Sequence, residues 1–204
     1  MGLACICGHG FSRTFCGADI DGRRTCRGEL LYVWADPATH TSRPIPQALR
    51  EMITHYEAGD PVTTCRVDAW TALGKDAQAV RQAVFVHEQG IDPADEYDAA
   101  DAQCEHAVLY NRLGQAVATG RLLPSEQGVA TIGRMATLRV LRGSGLGVQV
   151  LRALMARAQQ RGDQRVQLHA QCSAQGFDAR LGYEAVGQPY DEVGIAHITM
   201  QRAL

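Results

Sequence analysis

Apolar residues along the second half of the chain change spacing from segment to segment, and the changes predict alternating helices and strands. From Asp76 to Gln89, Ala79, Val80, Ala83 and Val84 form a stripe of helical period, with Asp76 near its start. Asp92 to Gln103 is acidic and poor in apolar residues, so a loop is expected. Cys104 to Tyr110 and Ala116 to Leu123 read as strands joined by the turn Asn-Arg-Leu-Gly, and Gly128 to Leu138 as a third strand. From Gly145 to Arg161, Val148, Leu151, Leu154, Met155 and Ala158 share one helical face, and Gly162 supplies the stop. Arg165 to Ala170 is a strand, a short helix runs up to Gly182, and strands are expected near Glu184 to Val186 and His197 to Arg202. The pattern is that of a mixed α/β domain.

The first 58 residues read differently. Asp21-Gly22 marks a turn before the strand-like run Thr25 to Ala35, and Gln47 to Tyr56 reads as a helix. Ala58 to Thr64 has linker composition. The expected organisation is an extension over 1–58, a linker over 59–66 and the α/β domain over 67–204.

Composition narrows the class. The 204 residues are 46% hydrophobic, enough for a sizeable core, and the net charge of −2 gives no general attraction to nucleic acid. No apolar stretch approaches a membrane span and no secretory signal is evident. Seven cysteines are an odd, irregularly spaced set. Reduced thiols in a soluble cytoplasmic protein are therefore expected. Cys5, Cys7, His9, Cys16 and Cys26 lack the C-x₂₋₄-C pair of structural zinc sites, so no metal is expected.

The sharpest chemical signal is Arg142-Gly-Ser-Gly-Leu-Gly147, between the strand ending at Leu138 and the helix that follows. Glycines at 143, 145 and 147 allow a tight turn with exposed backbone N–H groups. The first N–H groups of the helix sit at the positive end of its dipole, so the segment is suited to a phosphate or pyrophosphate. An NTPase loop would need Gly-Lys-Ser/Thr, and the only lysine is Lys75. A dinucleotide fingerprint would need G-x-G-x-x-G and a carboxylate ending the next strand, and both are missing. A plain glycine-rich turn is the remaining reading of the loop alone.

With its flanking blocks, the chain resembles the GNAT superfamily of acetyl-CoA-dependent N-acetyltransferases, in its ElaA-like branch. The blocks run in order from Val84-Phe-Val-His-Glu-Gln-Gly90, through Glu96, Asp98 and Asp101 leading to His106, then Gly120-Arg121 and Ile132-Gly-Arg-Met135. After the R-x-x-G-x-G loop come Leu168-His-Ala-Gln171, Leu181-Gly-Tyr183, Gly194-Ile195-Ala-His197 and Met200. The resemblance implies a mixed, mostly antiparallel sheet flanked by helices and splayed at the cofactor site. It also implies that the backbone of Met135, Ala136 and Thr137 meets the pantetheine and thioester of acetyl-CoA. Arg142, Gly143, Ser144, Gly145, Leu146 and Gly147 would hold the pyrophosphate. The acceptor implied is a small-molecule or peptide amine.

Proton handling is more open. Glu88, at the end of the first helix, is either a base acting directly or through water, or a solvated helix-end carboxylate. His106 is either a catalytic group or a histidine bonded within the core, and His197 and Glu96 share that ambiguity. Arg121 and Arg134 are expected to pair with Asp98 and Asp101. Many family members carry a tyrosine, proposed to protonate the departing thiolate, where this chain has Asp178 after Phe177. An ionised aspartate donates poorly unless burial raises its pKa. That departure motivates a second reading, an acyl-CoA-binding sensor.

The segment Asp36-Pro-Ala-Thr39 to Arg43-Pro-Ile-Pro46, followed by its helix, resembles the tail of hot-dog-fold acyl-CoA thioesterases. That resemblance implies a remnant without its own active site. A third reading makes this piece an interaction module that recruits a partner or forms a homodimer.

Overall fold

The computed structural model describes residues 3–6, 8–18, 21, 23–192 and 194–204. Expectations for Cys7 and the Asp21-Gly22 turn, and for the side chains of Cys5, Cys16 and Cys26, fall outside what is described. The chain divides into two compact units, Met1–Val62 and Thr63–Leu204.

The first unit is an antiparallel sheet of β1 (Leu3–Ile6), β2 (Gly10–Ala18) and β3 (Arg24–Val33), followed by α1 (Gln47–Glu57). The cross-strand partners Phe11 and Tyr32 stack with ring centroids 4.8 Å apart. Asp36 Oδ1 accepts the Ala38 N–H at 2.8 Å, closing the turn of the D-x-x-T stretch.

The second unit is built on a seven-stranded sheet. Its strands are β4 (Thr63–Ala69), β5 (Glu105–Asn111), β6 (Ala116–Leu122), β7 (Val129–Thr137), β8 (Arg165–Gln171), β9 (Glu184–Glu192) and β10 (Ile195–Ala203), in the order β4-β5-β6-β7-β8-β10-β9. Among the described strand pairings of this sheet, only β7–β8 is parallel. β4 starts at Thr63, inside the stretch that sequence alone reads as linker. No described helix is long and apolar enough to cross a membrane.

Helices cover both faces. On one, α4 (Leu146–Arg161) buries Val150, Leu151 and Leu154 against Leu109, Leu122, Ile132, Val166 and Met200. On the other, α2 (Trp70–Arg81) sets Leu73 and Ala77 on Val108, the neighbour of Leu109 on the strand. Alternate strand residues thus feed opposite layers. At roughly 25 cal/mol per Å², each fully buried Leu or Ile here adds about 1.5–3 kcal/mol.

Three expectations change. The first helix starts at Trp70, not near Asp76, and passes without a break into a π-helix, Gln82–Glu88. The acidic stretch is not a plain loop: it forms α3 (Pro93–Glu96) and a 3₁₀ turn, Ala99–Gln103. The β9–β10 pair runs well beyond the short strands expected, because the two strands pair along most of their length.

Candidate active site

β7 and β8 pair from Val129–Arg165 to Ile132–Leu168 and then separate. Beyond that point β7 stays bound to β6 on its other side. Leu138 N–H donates to Val117 O at 3.1 Å, and Ala118 faces Thr137. Antiparallel bonding alternates along a strand, so Thr137 turns its own N–H and C=O away from β6, into the opening. The Thr137 C=O there accepts from Arg142 Nε at 3.1 Å, and a backbone N–H in a wedge between diverging strands suits an extended, amide-bearing ligand, because such a group requires a partner.

The glycine loop lies just beyond that opening. Gly143 and Gly145 both have φ of +81°, a left-handed conformation in which a side chain is strained. Gly145 is the N-cap of α4, whose first internal bond is Gln149 N–H to Gly145 O. The N–H groups of Leu146, Gly147 and Val148 therefore have no partner within the helix. The Ser144 hydroxyl donates to Leu141 O and pins the turn. A Cβ at Gly147 would lie 3.5 Å from Thr137 Oγ1 and 3.7 Å from the Phe177 ring, so loop, strand end and α5 (Gln175–Ala179) meet at one place.

Arg142 crosses this region. Its Nη1 and Nη2 donate to the two carboxylate oxygens of Glu88 at 2.6 and 2.8 Å, and its Nε to Thr137 O at 3.1 Å. The sequence predicts both a phosphate-side arginine and an acceptor-side carboxylate, and the fold pairs them with each other. The hydrogen bonds from Arg142, then its charge and that of Arg139, hold the Glu88 carboxyl below its ordinary pKa. A phosphate held at the loop, as the resemblance implies, would compete for this guanidinium. Glu88→Gln should therefore tighten acyl-CoA binding by about threefold, the scale of an exposed ion pair. Calorimetric titration checks it, and unchanged affinity would show that the pair offers no competition.

The face of the sheet on the Glu88 side is polar beyond the helices. Val166, Leu168 and Ala170 are buried, which puts Gln167, His169 and Gln171 on the opposite face. Gln171 Nε2 donates to Gln89 Oε1 at 3.3 Å. His169 Nδ1 shares a hydrogen bond with the Tyr190 hydroxyl, and Tyr190 stacks on His197 at 6.2 Å. His169 is the first β8 residue past the last pair with β7. Sequence reasoning assigned no role to His169 or Tyr190. The strict alternation of β8 could have exposed His169, whereas Tyr190 lies in a stretch without any alternation.

His106 is not part of this surface. It is 1% exposed, bonds Asp101 O through Nε2 at 3.0 Å and packs on Trp70. Burial pushes its pKa down, so it stays neutral in the core. A strand position facing the inner layer gives His106 the setting of a histidine bonded within the core. Glu96 is also 1% exposed and is held by Arg81, the setting of a structural ion pair.

Asp178 is 6% exposed, and burial pushes its carboxyl up to about 6. The folded protein therefore binds this proton more tightly than the unfolded chain, whose ordinary value is 3.8. The sign follows: stability is lost as pH rises from about 4 to about 6 and stays lost above. Asp178→Asn should raise Tm at pH 7.5, with a gain that shrinks towards pH 4. A gain equal at both pH values would show that the carboxyl does not titrate as described.

A family model for the acetyltransferase (GNAT) domain matches residues 74–204. The chain belongs to the GNAT acetyltransferase family. It is 31% identical over 129 residues to the uncharacterized N-acetyltransferase YjcF of Bacillus subtilis, covering 63% of this chain and 91% of that one. Among crystal structures, an acyl-CoA N-acyltransferase from Pseudomonas aeruginosa is 32% identical with a TM-score of 0.61, and Escherichia coli ElaA is 27% identical with a TM-score of 0.62. Each covers 69% of this chain, which spans 99% of each of theirs. The helix-flanked, mostly antiparallel sheet is the GNAT fold, and the protein is an acyltransferase of a family that uses acyl-CoA donors. The GNAT match begins at Gly74, so the thioesterase-tail resemblance of the N-terminal unit stands on its own residues alone.

Proposed function

We propose that this GNAT protein transfers an acetyl group from acetyl-CoA to an amine. The observation that carries the reading is the parting of β7 from β8 after Ile132 and Leu168, with the glycine loop at the head of α4 beyond it. The pantetheine arm would bond the backbone of Met135 to Thr137, and the loop 142–147 would take the pyrophosphate.

An amine of pKa about 10 is mostly protonated at neutral pH and must lose a proton before it attacks. The amine would enter over the polar face beside Gln89, Gln171 and His169. With Arg142 drawn to the phosphates, Glu88 is freed to accept that proton, directly or through water. The amine nitrogen bonds to the thioester carbon, backbone N–H donors hold the oxyanion, the now cationic nitrogen gives its second proton to water, and collapse breaks the C–S bond to release the thiolate. Asp178, partly protonated near neutrality, supplies the proton to sulfur.

Thiol release from acetyl-CoA tests this against polyamines, amino acids, aminoglycosides and peptides. Amine-dependent release with a matching mass gain of 42 on one acceptor, a figure that follows from replacing N–H by N-acetyl, supports the transferase. Tight acetyl-CoA binding with no release for any amine would favour the sensor reading, which Asp178 in place of a tyrosine motivates.

A further inference from the structure

Arg134 has φ of +51°, a left-handed conformation that costs an arginine free energy and a glycine almost none. It belongs to a bulge: Thr119 pairs with Ala136 and Arg121 with Gly133, so Gly120 alone faces both Arg134 and Met135. A small partner fits best, since a Cβ at Gly120 would lie 2.5 Å from Met135 Sδ, 2.9 Å from Leu154 Cδ1 and 3.0 Å from Val150 Cγ1, and these side chains would have to shift. The bulge sets the aim of the next three residues, the ones assigned to the acyl-CoA thioester and pantetheine.

The side chain shows what holds this strained backbone. Arg134 Nη2 donates to Asp95 O at 3.3 Å and to Asp98 Oδ2 at 3.4 Å, and its Nε lies 3.5 Å from Glu96 Oε2. That Nε is buried and has no hydrogen bond, so the contact with Glu96 is one of charge alone. All three partners lie on the acidic segment around α3, which Arg81 and Arg121 fix in turn through Glu96, Asp98 and Asp101. Three arginines, 81, 121 and 134, meet three carboxylates, 96, 98 and 101, so the cluster balances in charge.

We infer that Arg134 is a positioning residue: its grip on Asp95, Glu96 and Asp98 holds the left-handed bulge that presents Met135 to Thr137 to the donor. The acidic segment thereby controls donor affinity without touching the donor. This rests on the donor-site reading given above.

Arg134→Ala and Arg134→Gly in the full chain separate the backbone from the charge. Both variants lose the same ionic contacts, but only glycine takes positive φ without strain. The alanine variant should weaken acetyl-CoA binding by about tenfold, while the glycine variant stays within about threefold of wild type. Hydrogen exchange without ligand should show the amides of Ala136 and Leu138 opening faster in the alanine variant than in the glycine one. Asp98→Asn, a milder change at a half-exposed residue, should weaken binding by about threefold and serves if the alanine variant fails to fold. Equal losses in the alanine and glycine variants, or wild-type affinity in both alanine and Asp98→Asn, would overturn the inference alone. A wild-type protein with no affinity for acetyl-CoA would overturn the donor-site reading together with it.

Discussion

Gly145→Glu should weaken acetyl-CoA binding by at least about 100-fold, close to 2.7 kcal/mol, while the domain stays folded. Two effects combine. Gly145 sits at φ +81° as the N-cap of α4, so any side chain there is strained by roughly 1–2 kcal/mol. Beyond its chain neighbours, no described atom lies within 4 Å of a Cβ at this position, so the glutamate has room and backbone strain is the main cost to the fold. Its carboxylate, however, would sit among the unpaired N–H groups of the loop and helix start, at the positive end of the dipole. It would then act as a tethered anion in the place meant for the pyrophosphate, and repel what it does not displace. Gly145→Ala is the control: it carries the strain without the charge, and should lower Tm while keeping most of the affinity. Calorimetric titration with acetyl-CoA, beside a thermal melt, reads both. If the glutamate variant bound as tightly as wild type, the pyrophosphate would have to lie elsewhere.

Features fixed by local spacing were legible in the sequence. The α4 stripe and its Gly162 stop, the β5–β6 hairpin and the glycine loop all depend on residues within one or two turns of each other. The early start of α2 was missed because its N-cap, Ala69, makes no side-chain cap, so the sequence carries no start signal there. The acidic segment did carry one. Asp92 before Pro93 caps α3, with Oδ1 accepting the Ala94 N–H, and Asp98 caps the 3₁₀ turn in the same way. Charge density concealed that signal, since Glu96 and Asp101 are buried against the usual trend for acids. Their partners lie 15 and 20 residues upstream, a separation that no short pattern reports.

The site divides along the same line. The loop could be read residue by residue, but the opening it serves is a matter of strand register, namely where β8 stops following β7. Resemblance supplied that opening; period and composition could not. The bond between Arg142 and Glu88 joins residues 54 apart and changes what both can do before a donor arrives. Likewise His169 gains its setting from Tyr190, on a strand whose residues are all exposed and whose pairing with β10 gives it form.

The largest expected loss of stability comes from the buried cluster. Asp101 is 4% exposed, and its Oδ1 accepts from Arg81 Nη1 at 2.8 Å and from Arg121 Nη1 at 2.9 Å. Asp101→Asn keeps the shape but removes the charge shared by two arginines, one of them 1% exposed. Breaking a buried pair from one side costs about 3–5 kcal/mol, because the remaining charge stays out of water unmatched. Each arginine keeps a second carboxylate, Glu96 or Asp98, so the low end, about 3 kcal/mol, is expected. For a unit of this size that is a fall in Tm of roughly 6–12 °C. The pH dependence fixes the cause. Burial alone would raise the Asp101 carboxyl, but hydrogen bonds from Arg81 and Arg121, and then their charges, hold it below its ordinary value. A carboxyl depressed on folding stabilises above its unfolded pKa of about 4 and loses that contribution as pH falls through the folded value. The gap between wild type and Asp101→Asn should thus be full at pH 7 and close on acidification below pH ~4. Urea unfolding at both pH values, followed through Trp70, which lies against His106 and Arg81, measures it. A gap under about 1 kcal/mol at pH 7 would mean that Glu96 and Asp98 satisfy the two arginines unaided, and that Asp101 holds the acidic segment by its backbone bond to His106 alone.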